Sequence, residues 1–294
     1  MPELLHPSPL PRWTWPPALA ASVGVHALAL TAAVLEPAHA VAALAAVALD
    51  HAVLTGAGLW PRSTLLGPNL RRLPAEAAAR ALVALTFDDG PDPEVTPRVL
   101  DQLDAAGARA TFFVIGERVL AAPALAREIV ARGHALANHS AVHRHHFALL
   151  GSAGLEREID RAQRILADTA GVQAHCFRAP AGLRNALLDP VLHRLNLQLV
   201  SWTRRGFDAR DGDAARVLAR LAGASHPVSS GDILLLHDGH AARTPRGARV
   251  VLEVLPRLLA ALRGAGLGTT TLTDAVPPRH RGAGAVAVMR NPRP

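Results

Sequence analysis

The stretch ALVALTFDDGPD, residues 81–92, decides how the chain is read. Seven residues with little polar alternation, ALVALTF, suit a strand buried on both faces, as in a parallel sheet. The run ends in two adjacent acids, Asp88 and Asp89, followed by Gly90, Pro91 and Asp92. Asp-Gly-Pro-Asp is ordinary turn chemistry. The same residues also suit a site in which one carboxylate holds a cation while its neighbour stays free as a base.

Six further short runs fall at 110–116, 134–138, 174–179, 197–202, 232–237 and 268–273. Helical patterns separate them at 94–106, 117–132, 155–170, 213–222 and 246–263. Strand runs alternating with helices predict an α/β fold, a distorted (β/α)7 barrel, in which reactive groups gather at the carboxyl ends of the strands. Those ends carry Asp88-Asp89, then His139 and His143 in NHSAVH, Arg178 in RAPAG, Trp202 leading to Asp208, and His237 in LLLHD. One helical turn would aim His139 and His143 at a single point. With fifteen histidines in the chain, chance pairs at this spacing are expected. Joined to a carboxylate from the first strand, the pair becomes a two-His, one-carboxylate set with open positions, suited to Zn²⁺.

Together TFDDGPD, HSAVH, RAPAG and LLLHD resemble the motifs of the polysaccharide deacetylases, the NodB-homology domain of carbohydrate esterase family four. The resemblance spans about residues 80–275. It implies that Asp88 is the general base and that Asp89, His139 and His143 hold a divalent metal, most simply Zn²⁺, with Co²⁺, Ni²⁺ or Fe²⁺ as alternatives. It implies further that Arg178 steadies the base, that His237 is the general acid tuned by Asp208, and that Leu235 walls the acetyl pocket. Ala181 is the candidate for a backbone N–H at the oxyanion, and Trp202 for a substrate contact. Two departures stand out: Ala181 where relatives often carry an aromatic, and Ala209 where they often carry Trp. On charge alone Asp208 could equally cap the helix that begins near Asp211 to Asp213, and Asp238 is expected to serve only the turn.

The remaining sequence bounds the setting. Net charge is +7, all of the positive charge coming from Arg, and the arginines are scattered without interleaved aromatics, which argues against nucleic-acid binding. The single cysteine, Cys176, permits no intrachain disulfide and is expected in the core. Residues 17–35 and 39–60 are two apolar stretches of bilayer-spanning length, with Trp13, Trp15 and Trp60 near their ends, and together they predict a transmembrane hairpin within an anchor region of 1–60. A signal peptide cleaved near Ala38-His39-Ala40 competes with that reading but leaves the second stretch without a purpose. Arg12, Arg62, Arg71 and Arg72 flank the hairpin while its connector has no Arg or Lys, which places the following domain on the cytoplasmic side of a bacterial inner membrane. A linker is expected at 61–80, a catalytic domain at 81–275 and a disordered tail at 276–294.

The function expected is a metal-dependent N-deacetylase of an N-acetylated amino sugar, in a cell-envelope glycan or linked to a polyprenyl phosphate. Alternatives are a deacetylase of peptidoglycan or exopolysaccharide, a deformylase of a lipid-linked amino sugar, and an inactive sugar-binding protein held at the membrane. Fe(II) oxygenases share the ligand set, but that chemistry leaves Asp88 and Arg178 without a purpose. Sequence does not fix the oligomeric state.

Overall fold

The computed structural model describes residues 10–225 and 227–280, so the expected tail falls outside the described residues from 281 onward, as do residues 1–9 of the anchor region. Two helices, α1 (Pro17–Leu35) and α2 (Ala40–Leu59), pack antiparallel across a tight connection at Pro37–His39. By length and composition both could cross a membrane. Their outward faces carry Leu28, Leu30, Val34, Leu44 and Leu49, all exposed, an apolar surface larger than a water-facing protein normally leaves bare.

A short helix α3 (Ala75–Ala79) precedes β1 (Leu82–Asp88). The chain then alternates α4 (Thr96–Ala105), β2 (Ala110–Val114), α5 (Gly116–Ala121), α6 (Pro123–Ala131), β3 (Ala135–Asn138), α7 (Ser152–Ala170), β4 (Cys176–Phe177), α8 (Leu188–Arg194) and β5 (Gln198–Leu199). It finishes with β6 (Arg204–Arg205), α9 (Ala214–Ala222), β7 (Ile233–His237), α10 (Val250–Gly264), β8 (Gly268–Thr269) and α11 (Leu272–Ala275). Strand pairings are parallel in the order β5-β4-β3-β2-β1-β7-β6, and β8 adds to the start of β1. This is the expected distorted barrel, closed incompletely.

Three expectations are corrected by local chemistry. The single helix expected at 117–132 is two, because Pro123 keeps Ala122 out of the helical region, at φ −135°. The last strand stops at Thr269, since Thr271 caps α11 by accepting from the Asp274 N–H. Residues 61–80 are built into the barrel. Leu70 donates to Leu199 O at 2.9 Å and accepts from Ser201 N at 2.8 Å, and Leu73 donates to Gly231 O at 2.8 Å, so the segment fills the seam that β5 and β6 leave open.

Alternation along the strands sets what points inward. From β1, Val83, Leu85 and Phe87 face the helices in the main core, whereas Ala84, Thr86 and Asp88 face the barrel interior. From β7, Leu234 and Leu236 face the helices, whereas Ile233, Leu235 and His237 face in. Register pairs Asp88 with His237. Two inward-facing residues at the same rim therefore come from one hydrogen-bonded strand pair.

Candidate active site

Asp88 is buried, and its Oδ1 accepts from Arg178 Nη1 at 2.5 Å. Arg178 lies inside the barrel at 1% exposure. Its guanidinium also donates to Thr86 Oγ1 at 2.9 Å and to the carbonyls of Val200 at 3.3 Å and Ser201 at 3.1 Å, and it lies 4.0 Å from the centre of the Phe113 ring. A buried guanidinium so heavily bonded is held in one position, and it fixes the Asp88 carboxylate against it.

Asp89 points the other way. Its Oδ1 lies 3.3 Å from Nε2 of both His139 and His143. Edges of that length match tetrahedral ligands about 2.0–2.1 Å from a central ion. His139 donates Nδ1–H to the Arg178 carbonyl at 2.9 Å, which leaves its Nε2 lone pair facing Asp89. Asp89 Oδ1 is buried with no hydrogen bond of its own, a deficit that a cation would remove. Burial opposes ionisation of Asp89, but the close His139, with His143 and His237 beside it, outweighs it and holds the carboxyl well below the usual range. Burial and the neighbouring His139 push His143 down to about 4, which keeps its imidazole neutral. The donor set fits a divalent metal.

The helical turn expected from His139 to His143 is absent. Ser140 and His143 have φ of 67° and 56°, so the two rings converge from a tight loop. Asn138 accepts from Ser140 N at 2.9 Å and donates to Ile159 O and Gln163 on α7; Ser140 Oγ accepts from His143 N at 3.0 Å. Buried Glu158 accepts from Val142 N at 3.2 Å and from Arg144 Nε at 2.7 Å. Asp89, Ser140, His143, Ala181 and Phe207 are five of the seven non-glycine residues with positive φ among the described residues, and all five stand near this rim. Strain of this kind persists only where surrounding structure enforces it.

On the opposite side, Asp208 is wholly buried and accepts from both His237 N at 2.7 Å and His237 Nδ1 at 2.8 Å. Asp208 is therefore no helix cap; Asp213 caps α9. Burial disfavours a charged His237, but Asp208 more than offsets it, and the imidazole is pushed up to about 9. Leu235 lies on the inner face two residues before it. Ala181, exposed and at φ 55°, sits in the turn after Arg178, and Trp202 packs between the interior and the surface. Cys176 is buried, its thiol pushed up to about 12 by desolvation.

Sequence reasoning missed Asn138 and Glu158, whose partners are remote, and it misread Asp238. That residue is wholly buried and accepts from Thr96 Oγ1 at 2.5 Å, with its carboxyl pushed up to about 7 by burial. A Cβ on Gly90 would collide with it at 2.1 Å, and one on Gly239 would strike Asp89 O at 2.0 Å. The Asp-Gly signal thus marks two strand exits packed against each other, with Asp238 as the wedge. His240 was also missed; its Nδ1 lies 3.6 Å from Asp89 Oδ2.

The family model described as polysaccharide deacetylase matches residues 75–200. A chitooligosaccharide deacetylase from Sinorhizobium fredii is 35% identical over 205 residues, which is 67% of this chain and 93% of that protein. The chain belongs to the polysaccharide deacetylase family. Among other members, a peptidoglycan-N-acetylglucosamine deacetylase from Bacillus cereus is 34% identical over 60% of this chain and 81% of its own length. The structure of a family 4 carbohydrate esterase from Streptomyces lividans, in complex with acetate, superposes with a TM-score of 0.59 at 32% identity, covering 67% of this chain and 98% of that one. Membership makes the chain a hydrolase of carbon–nitrogen bonds other than peptide bonds, acting on carbohydrate.

Proposed function

We propose that the protein is a metal-dependent N-deacetylase of an N-acetylated amino sugar of the cell envelope, with residues 81–275 as its catalytic domain. The observation that carries this is the division of labour between adjacent acids: Asp89 turned to two imidazole nitrogens, Asp88 turned to a buried guanidinium. Asp89, His139 and His143 would hold a divalent cation, most simply Zn²⁺, which would supply Lewis-acid chemistry at the acetamide. Asp88, held in place by Arg178, removes the proton from the attacking water. Charge that develops on the carbonyl oxygen is met by a backbone N–H, for which Ala181 is the candidate. His237, held protonated by Asp208, delivers a proton to the leaving nitrogen, without which an amide does not cleave. Leu235 sits where it can bound the acetyl methyl.

Curated relatives are named for chitooligosaccharides and for the N-acetylglucosamine of peptidoglycan, which supports N-acetylglucosamine as the sugar. The apolar hairpin supports attachment to the inner membrane, and the flanking arginines support a catalytic domain on the cytoplasmic side. There the substrate is a sugar on a polyprenyl phosphate, with deformylation of a lipid-linked amino sugar as the alternative. Acetate release from polymeric and lipid-linked N-acetylglucosamine, measured with and without chelator, tests the reading. Chelator-sensitive release supports it, and release that survives removal of all bound metal refutes it.

A further inference from the structure

The hairpin does more than precede the barrel. Arg184 N–H donates to Gly58 O at 3.1 Å, and a Cβ on Gly58 would lie 2.2 Å from Arg184 O, so the end of α2 is seated on the loop that follows Arg178. Arg184 Nη2 reaches Ser63 O at 2.6 Å, and Arg62 Nη1 reaches Thr203 O at 3.2 Å. Gly182, in the same loop, has no room for a Cβ between Trp202 and Pro61. These contacts leave a groove of about 340 Å³, with Trp60, Pro61 and Arg62 on one wall and Trp202, Arg205 and Phe207 on the other.

The lining has a distinct chemistry. Trp60 and Phe207 are exposed, and the Arg205 guanidinium lies 5.3 Å from the Trp202 ring and 4.8 Å from the Phe207 ring. Arg205 Nε is buried without a hydrogen-bond partner. Among the described residues neither Arg62 nor Arg205 has a carboxylate within ion-pair distance, unlike Arg178 and Arg204 nearby. The Arg205 guanidinium beside two aromatic faces, with Arg62 on the opposite wall, fits an anion attached to a sugar ring. Trp202 also lies 5.8 Å from the Arg178 guanidinium, so the groove adjoins the site of the reaction.

We propose that this groove is a substrate subsite built jointly by the anchor and the barrel, and that it takes a phosphate carried by the amino sugar whose acetamide lies at Asp88. The inference rests on the deacetylase reading for the position of the acetamide. It makes Trp60, Arg62, Arg205 and Phe207 specificity-determining residues. Both a soluble sugar phosphate and a lipid-linked one present the required group.

Titration of tryptophan fluorescence in the full-length chain in detergent tests this, with N-acetylglucosamine 1-phosphate against N-acetylglucosamine. The phosphorylated sugar is expected to bind at least about tenfold more tightly, the scale of one charge-assisted hydrogen bond. Arg62→Ala and Arg205→Ala should each lose about tenfold for the phosphate and a smaller factor for the neutral sugar, while Arg62→Lys recovers part of the loss. Equal affinity for the two sugars, or equal losses in the variants, overturns the proposal. Vesicles bearing the lipid-linked sugar, compared with the soluble phosphate, decide between the two sources; competition by phosphatidylglycerol vesicles without sugar, as strong as that by the sugar phosphate, also overturns it. Acetate release is followed in parallel. Preference for the phosphate without acetate release sinks only the catalytic reading, and release without preference sinks only this one.

Discussion

Two clusters in this molecule have the same composition, two histidines and one aspartate with ligand atoms within 4.8 Å of one another: Asp89, His139 and His143 at the barrel rim, and His26, Asp50 and His51 in the hairpin. They differ in how their polar valences are spent. In the hairpin, His26 Nε2 and His51 Nε2 face each other at 3.0 Å, His26 Nδ1 bonds to Ser22 O at 2.8 Å, and Ser22 donates to Asp50 at 2.7 Å. The cluster closes on itself and joins two helices, which is how polar side chains act as glue between apolar segments. At the rim, the backbone strain and hydrogen bonds from remote elements turn a carboxylate oxygen and two ring nitrogens towards one point. Proximity of ligand types is common. A set whose valences are held open is not.

The sharpest way to break this contrast is at the adjacent acids. Asp88→Asn is expected to keep bound metal and to lose turnover by about 10²–10⁴-fold, the range for a lost general base. Asp89→Ala, His139→Ala or His143→Ala should lose the metal itself. Metal analysis of the purified variants checks both, and full retention in all four would refute the assignment. Next in size is Asn138→Ala, which touches no ligand but releases the loop that aims both imidazoles; metal affinity should fall about 10–100-fold, the usual cost of losing such support, read by competition with a chelator.

Asp208→Asn tests the other side of the site through pH. His237 must be protonated to act as an acid, and its pKa is pushed up to about 9, so activity is expected to persist at neutral pH and fall as pH rises through about 9. Removing the Asp208 charge leaves burial opposed only by the weaker pull of Asp88 and Asp89, so the alkaline limb should move down from about 9 towards the ordinary histidine value of about 6.5. An unmoved limb means that another group delivers the proton. The smallest effect is expected in the hairpin. His26→Ala with His51→Ala should leave metal content at the level of the unaltered chain and destabilise by roughly 0.6–2 kcal/mol, the worth of such interhelical bonds, measured as a shift in thermal midpoint.

Much of this was legible in the sequence, and for identifiable reasons. An apolar run ending in Asp-Asp announces a buried strand whose exit is polar, and strand alternation then sends Asp88 inward with Thr86. The spacing of His139 and His143 named a pair that the fold does bring to Asp89, through the wrong geometry. Four residues apart fits a helical turn, and nothing local reveals that Asn138 and Glu158, tied to α7, impose a loop instead. Asp208 was readable as either a cap or a partner, because only the folded chain brings residue 237 to it. Residues 61–80 looked like a linker since Pro and Arg mark them, yet their backbone groups find partners on β5 and before β7. Those bonds depend on a gap between strands that no periodicity encodes.

The bond from Arg184 to Gly58 has one more consequence. An enzyme on a flexible leash sweeps a volume set by the length of its tether, and meets whatever floats within that radius. Here there is no leash: helix end, seam segment and the loop after Arg178 form a continuous brace. A hairpin seated in a bilayer would then hold the barrel at a fixed height, and targets would be selected by altitude before they are selected by shape.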